Sequence, residues 1–451
     1  MGSPGAGAAP GAPATLTLSA PRPSRRAPRP SAAGALLLLF GALGCGRDSR
    51  GGVVVELWAM GREGEVVAEL MPGFERRHPG LRVRVQQIPW SAAHEKLVTA
   101  YVGGAMPDVF QAGNTWLPEF AALDALEPLD DRLARSPALV RGDDFPGILD
   151  TNVIDGVTYG VPWYVDTRVL FYRRDLLAEA GHPDPPRTWA AWTDAMARVK
   201  ARAGPERYAI LLPLREWQPP VILALQLGAG LLRDGDRYGD FRSPAFRRAF
   251  DFYLDLFRRG LAPGTGEAAV ANVYQDFAAG YFALYMSGPW NLGEFRQRLP
   301  PGMDGRWATA PLPAPDGGYP GVSLAGGASL AVFRRSPRKD AAWPLIEYLS
   351  EPAQQVRFYR LTGDLPARRS AWTEAALERD PQAGAFWTQL EAVRATPKIP
   401  EWERIATEIT RHAEAAVRGT MTADEALGAL DRNVDALLAK RRWLLGGAGA
   451  R

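Results

Sequence analysis

The sequence predicts an α/β protein with sheets covered by helices, and three observations carry that expectation. Val53, Val54, Val55, Glu56 and Leu57 form a nearly unbroken apolar run, the pattern of a strand buried on both faces of a parallel sheet. Helical and strand-like periods then alternate as far as residue 110, and a β-α-β-α-β order favours parallel strands joined by right-handed crossovers. Residues 155–192 then bring a turn, two strand-like runs and two helix starts together, with Trp163, Tyr164, Asp166 and Arg168 between the strand runs. A connecting segment that carries rings and charges suits a passage between two lobes.

The N-terminus is set apart as a targeting segment. Residues 1–30 are rich in Gly, Ala and Pro, and Arg22, Arg25, Arg26 and Arg29 form a positive region. An apolar run over 31–43 follows, shorter than the roughly 20 residues that a membrane-spanning helix needs. It ends in Ala42-Leu43-Gly44-Cys45, which resembles a bacterial lipobox with Ala42 where leucine is usual, so Cys45 is the expected lipid acceptor. An ordinary signal peptide or an anchor helix is the other reading of the same run.

Cys45 is the only cysteine, which excludes an intrachain disulfide and a Cys-based metal site. Residues 1–44 hold four arginines and no acid, so the formal charge changes from +3 to −1 without them. The basic balance therefore belongs to the leader, and it argues against a nucleic-acid surface. No later apolar run is long enough to cross a membrane, so a soluble, tethered body is expected, long enough for two sizeable cores.

After the tether, the first strand leads into a helix over 63–77 with Val66, Val67, Leu70 and Phe74 on one face, kinked at Pro72. Leu81, Val83 and Val85 alternate with polar residues as a second strand, and a helix over 92–102 stops at Gly103-Gly104. Asp108, Val109 and Phe110 form a third strand. In the central stretch, Asp155-Gly156 marks a turn, Tyr159, Val161 and Trp163 alternate, and 169–172 is a compact β-prone run. Residues 174–180 read as a helix closed by Gly181, and Thr188 caps a helix that begins at Trp189.

Downstream the pattern turns helical. Ser243-Pro244 opens a helix whose inner face holds Phe246, Phe250, Tyr253, Leu254 and Phe257. Gly288-Pro289-Trp290, the Gly- and Pro-rich span 311–321, and Gly326-Gly327 before a strand over 330–333 follow. Thr422-Ala423-Asp424-Glu425 is a capping box for a helix running to about residue 444.

The order of several separated pieces resembles the extracellular solute-binding proteins of bacterial ABC importers, in particular the sugar-binding group with the maltose- and trehalose-binding proteins. The pieces are Met106 to Phe110, Trp116 to Phe120, Leu126 to Leu129, Tyr159 to Pro162, Leu170 to Asp175, Pro186 to Trp189, Gly288 to Trp290, Gly326-Gly327 and Ala341 to Leu349. They span essentially the whole chain after the leader, and their order is more specific than any one of them.

The resemblance implies a two-lobed periplasmic-binding-protein fold, each lobe a mainly parallel sheet flanked by helices, joined by crossing hinge segments. The divisions it suggests are 1–44 signal peptide, 45–166 and 330–372 first lobe, and 167–329 and 373–451 second lobe. Ligand is then enclosed between the lobes at the carboxyl ends of the strands.

Sugars present apolar ring faces to aromatic side chains and hydroxyls to carboxylates and amides, so the site candidates mix Trp and Tyr with acids. Trp290 matches a stacking position of the family, and Trp163, Tyr164 and Asp166 match its cleft-facing crossing segment. Asn114 and Trp116 follow the third strand, where many family members carry an acid. Glu63 lies after the first strand, and Gly326 and Gly327 permit close backbone approach. Trp217 and Trp402 are weaker candidates, and Arg360 and Arg368 fit a cleft or a surface equally. For each ring and acid the alternative is a packed core residue, a helix-start acid or a plain turn.

The expected function is a substrate-binding lipoprotein that captures a di- or oligosaccharide and hands it to a membrane permease. It is expected to act as a monomer in the periplasm or at the cell surface, without catalysis, cofactor, metal or nucleic acid. A secreted glycoside hydrolase is the main rival, although Glu63, Asp108, Asp166 and Glu294 offer no recognisable acid/base pair. A binding protein for glycerol phosphate or a polyamine is the other alternative: phosphate favours basic groups at helix N-termini, and a polyamine favours acids clustered around aromatic rings. There is no G-x-S-x-G elbow, and the four histidines lack ligand spacing.

Overall fold

The computed structural model describes residues 52–140, 142–264 and 272–448. Cys45 and the leader lie outside them.

Two sheets organise the chain. The first places its strands in the order Leu365–Pro366, Val161–Asp166, Gly326–Val332, Val109–Gly113, Val53–Met60 and Leu81–Ile88. The second orders them Trp307–Ala310, Val169–Arg173, Leu284–Ser287 and Ile210–Leu211. The run at Val53 is not buried on both faces as expected: Val55, Leu57 and Ala59 are buried while Val53 is 46% exposed, and the strands covered on both faces lie further inside the sheet. Val109 packs into the core on one face and Phe110 into the core on the other, and Leu330 and Ala331 divide in the same way.

The mainly parallel sheets expected from sequence are mixed. Val53–Met60 runs parallel to both Leu81–Ile88 and Val109–Gly113, as the β-α-β-α-β pattern requires. Gly326–Val332 and Leu365–Pro366 pair antiparallel with their neighbours. In the second sheet only the Leu284–Ser287 and Ile210–Leu211 pair is parallel. Gly326–Val332 enters the first sheet on the way back from the second, so no helical crossover fixes its direction, whereas Leu365–Pro366 follows it through the helices Lys339–Leu349 and Pro352–Thr362 and pairs on the other side of Val161–Asp166.

The chain leaves the first sheet after Asp166 and enters the second at Val169, so Thr167 and Arg168 form the crossing. Trp402–Val417 and Ala423–Leu437 share a core with Ile222, Phe246, Phe250 and Leu284, which places these C-terminal helices on the second lobe.

Local chemistry sets several boundaries. Thr188 Oγ1 accepts from the Ala191 amide at 3.1 Å and starts the helix Trp189–Ala203. Thr422 and Glu425 form the reciprocal capping box, with bonds of 2.8 and 3.2 Å. The single kinked helix expected over 63–77 is instead two helices, Gly61–Val66 and Met71–Arg77, with a 3₁₀ turn between them. Pro72 sits in the first turn of the second helix, where its missing N–H leaves no intrahelical bond unmade. The final helix divides likewise into Ala423–Leu437 and Ala439–Ala448. Among the described residues, no helix is long and apolar enough to cross a membrane.

Candidate ligand-binding cleft

A cleft of about 780 Å³ lies between the two lobes, lined by residues of both. That volume is in the range of small-molecule sites, roughly 300–1,000 Å³.

Its first-lobe wall is held by a chain of hydrogen bonds. The Met60 amide donates to Gln111 Oε1 at 2.7 Å, Gln111 Nε2 donates to the Tyr164 hydroxyl at 2.9 Å, and that hydroxyl donates to Glu63 Oε1 at 2.8 Å. Trp90 Nε1 reaches the same carboxylate at 3.2 and 3.3 Å. Gly61 makes this possible, because with φ +47° a Cβ there would stand 2.5 Å from Trp90 Cδ1. Burial pushes the Glu63 carboxyl above its ordinary range. Asp364, next along the wall, is raised well above its usual value by burial first and by the charge of Glu63 second.

Asp166 marks the crossing. Arg168 donates to both of its carboxylate oxygens through one nitrogen at 2.6 and 2.8 Å, and to Glu216 at 3.3 Å through another. Burial works against the charge on Arg168, but the two acids outweigh it and hold its proton more tightly than usual. The guanidinium carbon lies 4.5 Å from the centre of the Trp290 ring, a cation–π contact between hinge and second lobe.

Trp290 opens the helix Trp290–Arg298 directly after the strand Leu284–Ser287. Its ring folds back over Gly288, where a Cβ would stand only 1.8 Å from Cζ3. The Gly-Pro-Trp stretch thus places the tryptophan, half-buried, against the cleft. Tyr274 donates to Asn291 Oδ1 at 3.1 Å, and burial followed by the charge of Glu294 pushes its hydroxyl up to about 12. Glu294 and Arg298 pair at 2.5 Å on the same wall. Trp217 meets Trp402 edge to face at 5.2 Å; Trp217 lines the cleft, whereas Trp402 is buried behind it.

The structure brings Glu63, Asn114, Trp116, Tyr164, Asp166, Trp290, Gly326 and Gly327 to this cleft. Their roles differ in detail. Asn114 donates to Thr151 at 2.6 Å and accepts from Ser329 at 3.1 Å, so both atoms of its amide already have partners in the first lobe. Trp116 is mostly buried and meets Trp90 edge to face at 5.6 Å. Gly327 has φ +131°, and a Cβ there would stand 2.2 Å from the Tyr164 carbonyl oxygen. Its glycine serves the close approach of two strands.

Trp163 does not face the cleft. It is 1% exposed and stacks on Phe358 at 4.4 Å within the first-lobe core. A β-bulge is the reason: Ala328 and Ser329 pair with Tyr164 and Pro162, so Trp163 is the extra residue in the ladder. The bulge breaks the alternation, and both neighbouring rings then approach Phe358. Arg368 is likewise remote from the cleft, buried and bonded to Asp143 at 2.7 Å.

Sequence reasoning missed Trp90, Asp364 and Glu403, which also line the cleft. Trp90 lies just beyond the carboxyl end of Leu81–Ile88, where the strand-end rule directs attention. Glu403 comes from the second lobe; burial raises its carboxyl, and a hydrogen bond with Thr115 of the first lobe opposes that rise. Among the described residues, no group of three or more His, Cys, Asp or Glu is placed to hold a metal ion.

Residues 61–356 match the family model described as bacterial extracellular solute-binding protein. The chain is 53% identical to the sugar-binding protein MalE of the phytopathogen Xanthomonas citri, covering 87% of this chain and 99% of that one, with a TM-score of 0.84. It is 25% identical to the diacetylchitobiose binding protein DasA of Streptomyces coelicolor, over 84% of this chain and 89% of that protein. A solute-binding protein of Thermotoga lettingae, solved with α-D-tagatose bound, is 25% identical with a TM-score of 0.74, over 85% and 99% of the two chains.

Proposed function

We propose that this chain, which belongs to the bacterial extracellular solute-binding proteins, captures a sugar between its two lobes and delivers it to the permease of an ABC importer. The observation that carries the reading is the composition of the cleft, in which the half-buried ring of Trp290 stands with buried carboxyls and ring N–H groups from the opposite lobe. A pyranose needs both: a flat apolar surface for one ring face, and fixed acceptors for its hydroxyls. The similarity to a sugar-binding protein and to a diacetylchitobiose binding protein supports the same class.

Capture requires no bond to break. A ligand that touches both walls gains contacts only when the lobes are together, so it shifts the population toward the closed form by that difference. The closed form is what the permease receives. The protein works as a monomer, anchored through Cys45 outside the cytoplasmic membrane, and a di- or oligosaccharide suits the size of the cleft.

The test is a thermal-shift screen of the mature chain against mono-, di- and trisaccharides, sugar alcohols, glycerol phosphate and polyamines, with each small molecule recovered and weighed by mass spectrometry. A sugar at 100 times its dissociation constant should add about 2.7 kcal/mol of stability and return intact. Cleaved sugar would replace this reading with a glycoside hydrolase, and a response only to glycerol phosphate or polyamines would replace the substrate class.

A further inference from the structure

The two crossings between the lobes meet at one residue. Arg168 is 6% exposed, and its backbone is clamped by Ser323, on the strand Ser323–Leu324 just before the chain returns to the first sheet at Gly326. The Arg168 amide donates to Ser323 Oγ at 3.1 Å, and that hydroxyl donates to the Arg168 carbonyl oxygen at 2.9 Å. Ser323 is itself fully buried, so the stem of the arginine side chain starts from a fixed point.

Three anchors then orient the guanidinium. Nη1 donates to both oxygens of Asp166, the last residue of the first-lobe strand Val161–Asp166, and Nη2 donates to Glu216 at 3.3 Å. The third anchor is the ring of Trp290, whose centre lies 4.5 Å from the guanidinium carbon. Nε is buried and has no hydrogen-bond partner among the described residues. A buried N–H left unpaired costs stability, so the plane of this guanidinium answers to the two acids and the ring rather than to the fullest set of hydrogen bonds.

Trp290 is the less constrained partner. Its ring is half-buried and folds back over Gly288, where the missing side chain gives it room without gripping it. A flat ring has two faces, and with the guanidinium over one the other is left to meet a sugar. The nearly covered guanidinium, with both Nη groups spent on acids, has little to offer a ligand directly. Resting on the reading that the cleft captures a sugar, we propose that Arg168 is a positioning residue, which holds the Trp290 ring at the angle from which it stacks and so lets the hinge set the ring wall of the cleft.

Arg168→Lys tests this, because it keeps the charge between Asp166 and Glu216 and removes the flat stacking surface. In the mature chain labelled with fluorotryptophan, the fluorine resonance of Trp290 is the one missing from Trp290→Phe. Without any sugar, Arg168→Lys should shift or broaden that resonance more than any other. An unmoved Trp290 resonance overturns the proposal whether or not the cleft takes a sugar. For the sugar found by the thermal screen, Arg168→Lys should weaken binding about fivefold in the wild-type background and less than about twofold in Trp290→Ala. Equal losses in both backgrounds would make Arg168 a direct ligand contact and overturn a positioning role. Should Arg168→Lys fold poorly, Glu216→Ala releases one anchor without touching the ring and should give the same two results with smaller effects, and a Trp290 resonance left in place there overturns the proposal equally.

Discussion

The two walls of the cleft are built on different principles. On the first lobe, polar groups are fixed in series, from the Met60 amide through Gln111 and Tyr164 to Glu63, each link between 2.7 and 2.9 Å. On the second, rings are placed by packing, with Trp290 laid over Gly288 and Trp217 set against Trp402. The difference teaches where selectivity and where adhesion arise. The hydrogen-bonded wall has its acceptors oriented before any ligand arrives, which favours hydroxyl recognition, whereas the ring wall supplies contact area with little directional demand. Arg168 joins them, paired with Asp166 and lying under Trp290.

The strongest way to break this contrast is at the hinge that keeps the walls in register. Gly327→Ala forces a Cβ toward the Tyr164 carbonyl at a positive φ and should cost roughly 3 kcal/mol of stability, read as a lower urea midpoint. Wild-type stability in that variant would mean that the strand pair yields easily. Trp290→Ala comes next and should weaken sugar binding about 30-fold, or about 2 kcal/mol, with the melting temperature of the free protein little changed. An unaltered dissociation constant would make the ring a rim contact.

Glu63→Gln should weaken the same sugar about tenfold, because an amide replaces a carboxyl that Tyr164 and Trp90 orient. Trp163→Phe sharpens the comparison from the other side. It should destabilise the first lobe by about 1 kcal/mol while leaving sugar affinity as it was, since this ring is buried against Phe358. A large loss of affinity there would return Trp163 to the site.

The smallest effect is a slope with pH. Glu63 and Asp364 both hold a proton more tightly in the folded protein than in the unfolded chain. Their contribution to stability is therefore full below the unfolded carboxylate pKa of about 4 and is lost as pH rises through the raised folded values. Asp364→Asn removes one of the two acids, so its melting temperature should fall less than that of the wild type as pH is raised from about 4 toward neutrality. Parallel curves would show that this carboxyl is ionised in the fold.

Much of the architecture was legible because local chemistry and tertiary structure agree. The apolar run at Val53, the cap at Thr188 and the box at Thr422 each act over a few residues. Glu63 and Trp116 were legible for a related reason, since they follow parallel strands at their carboxyl ends. Trp163 and Tyr164 were not separable, because period-two alternation fails at a bulge that only the pairing with Ala328 and Ser329 reveals. Asp364 and Glu403 were hidden for a topological reason. They reach the cleft from the returning strand region and from a C-terminal helix, far along the chain from the other lining residues. The direction of Gly326–Val332 was equally unreadable, as it depends on the second lobe from which that strand comes.

The central claim is that one sugar is held by both walls at once. Small-angle X-ray scattering of the mature chain, with and without a saturating concentration of the sugar found by the thermal screen, tests it most directly. The account predicts a smaller radius of gyration in the presence of the sugar, with the change abolished in Trp290→Ala at the same concentration. Sugar that stabilises the protein while leaving its dimensions unchanged would contradict capture between the lobes.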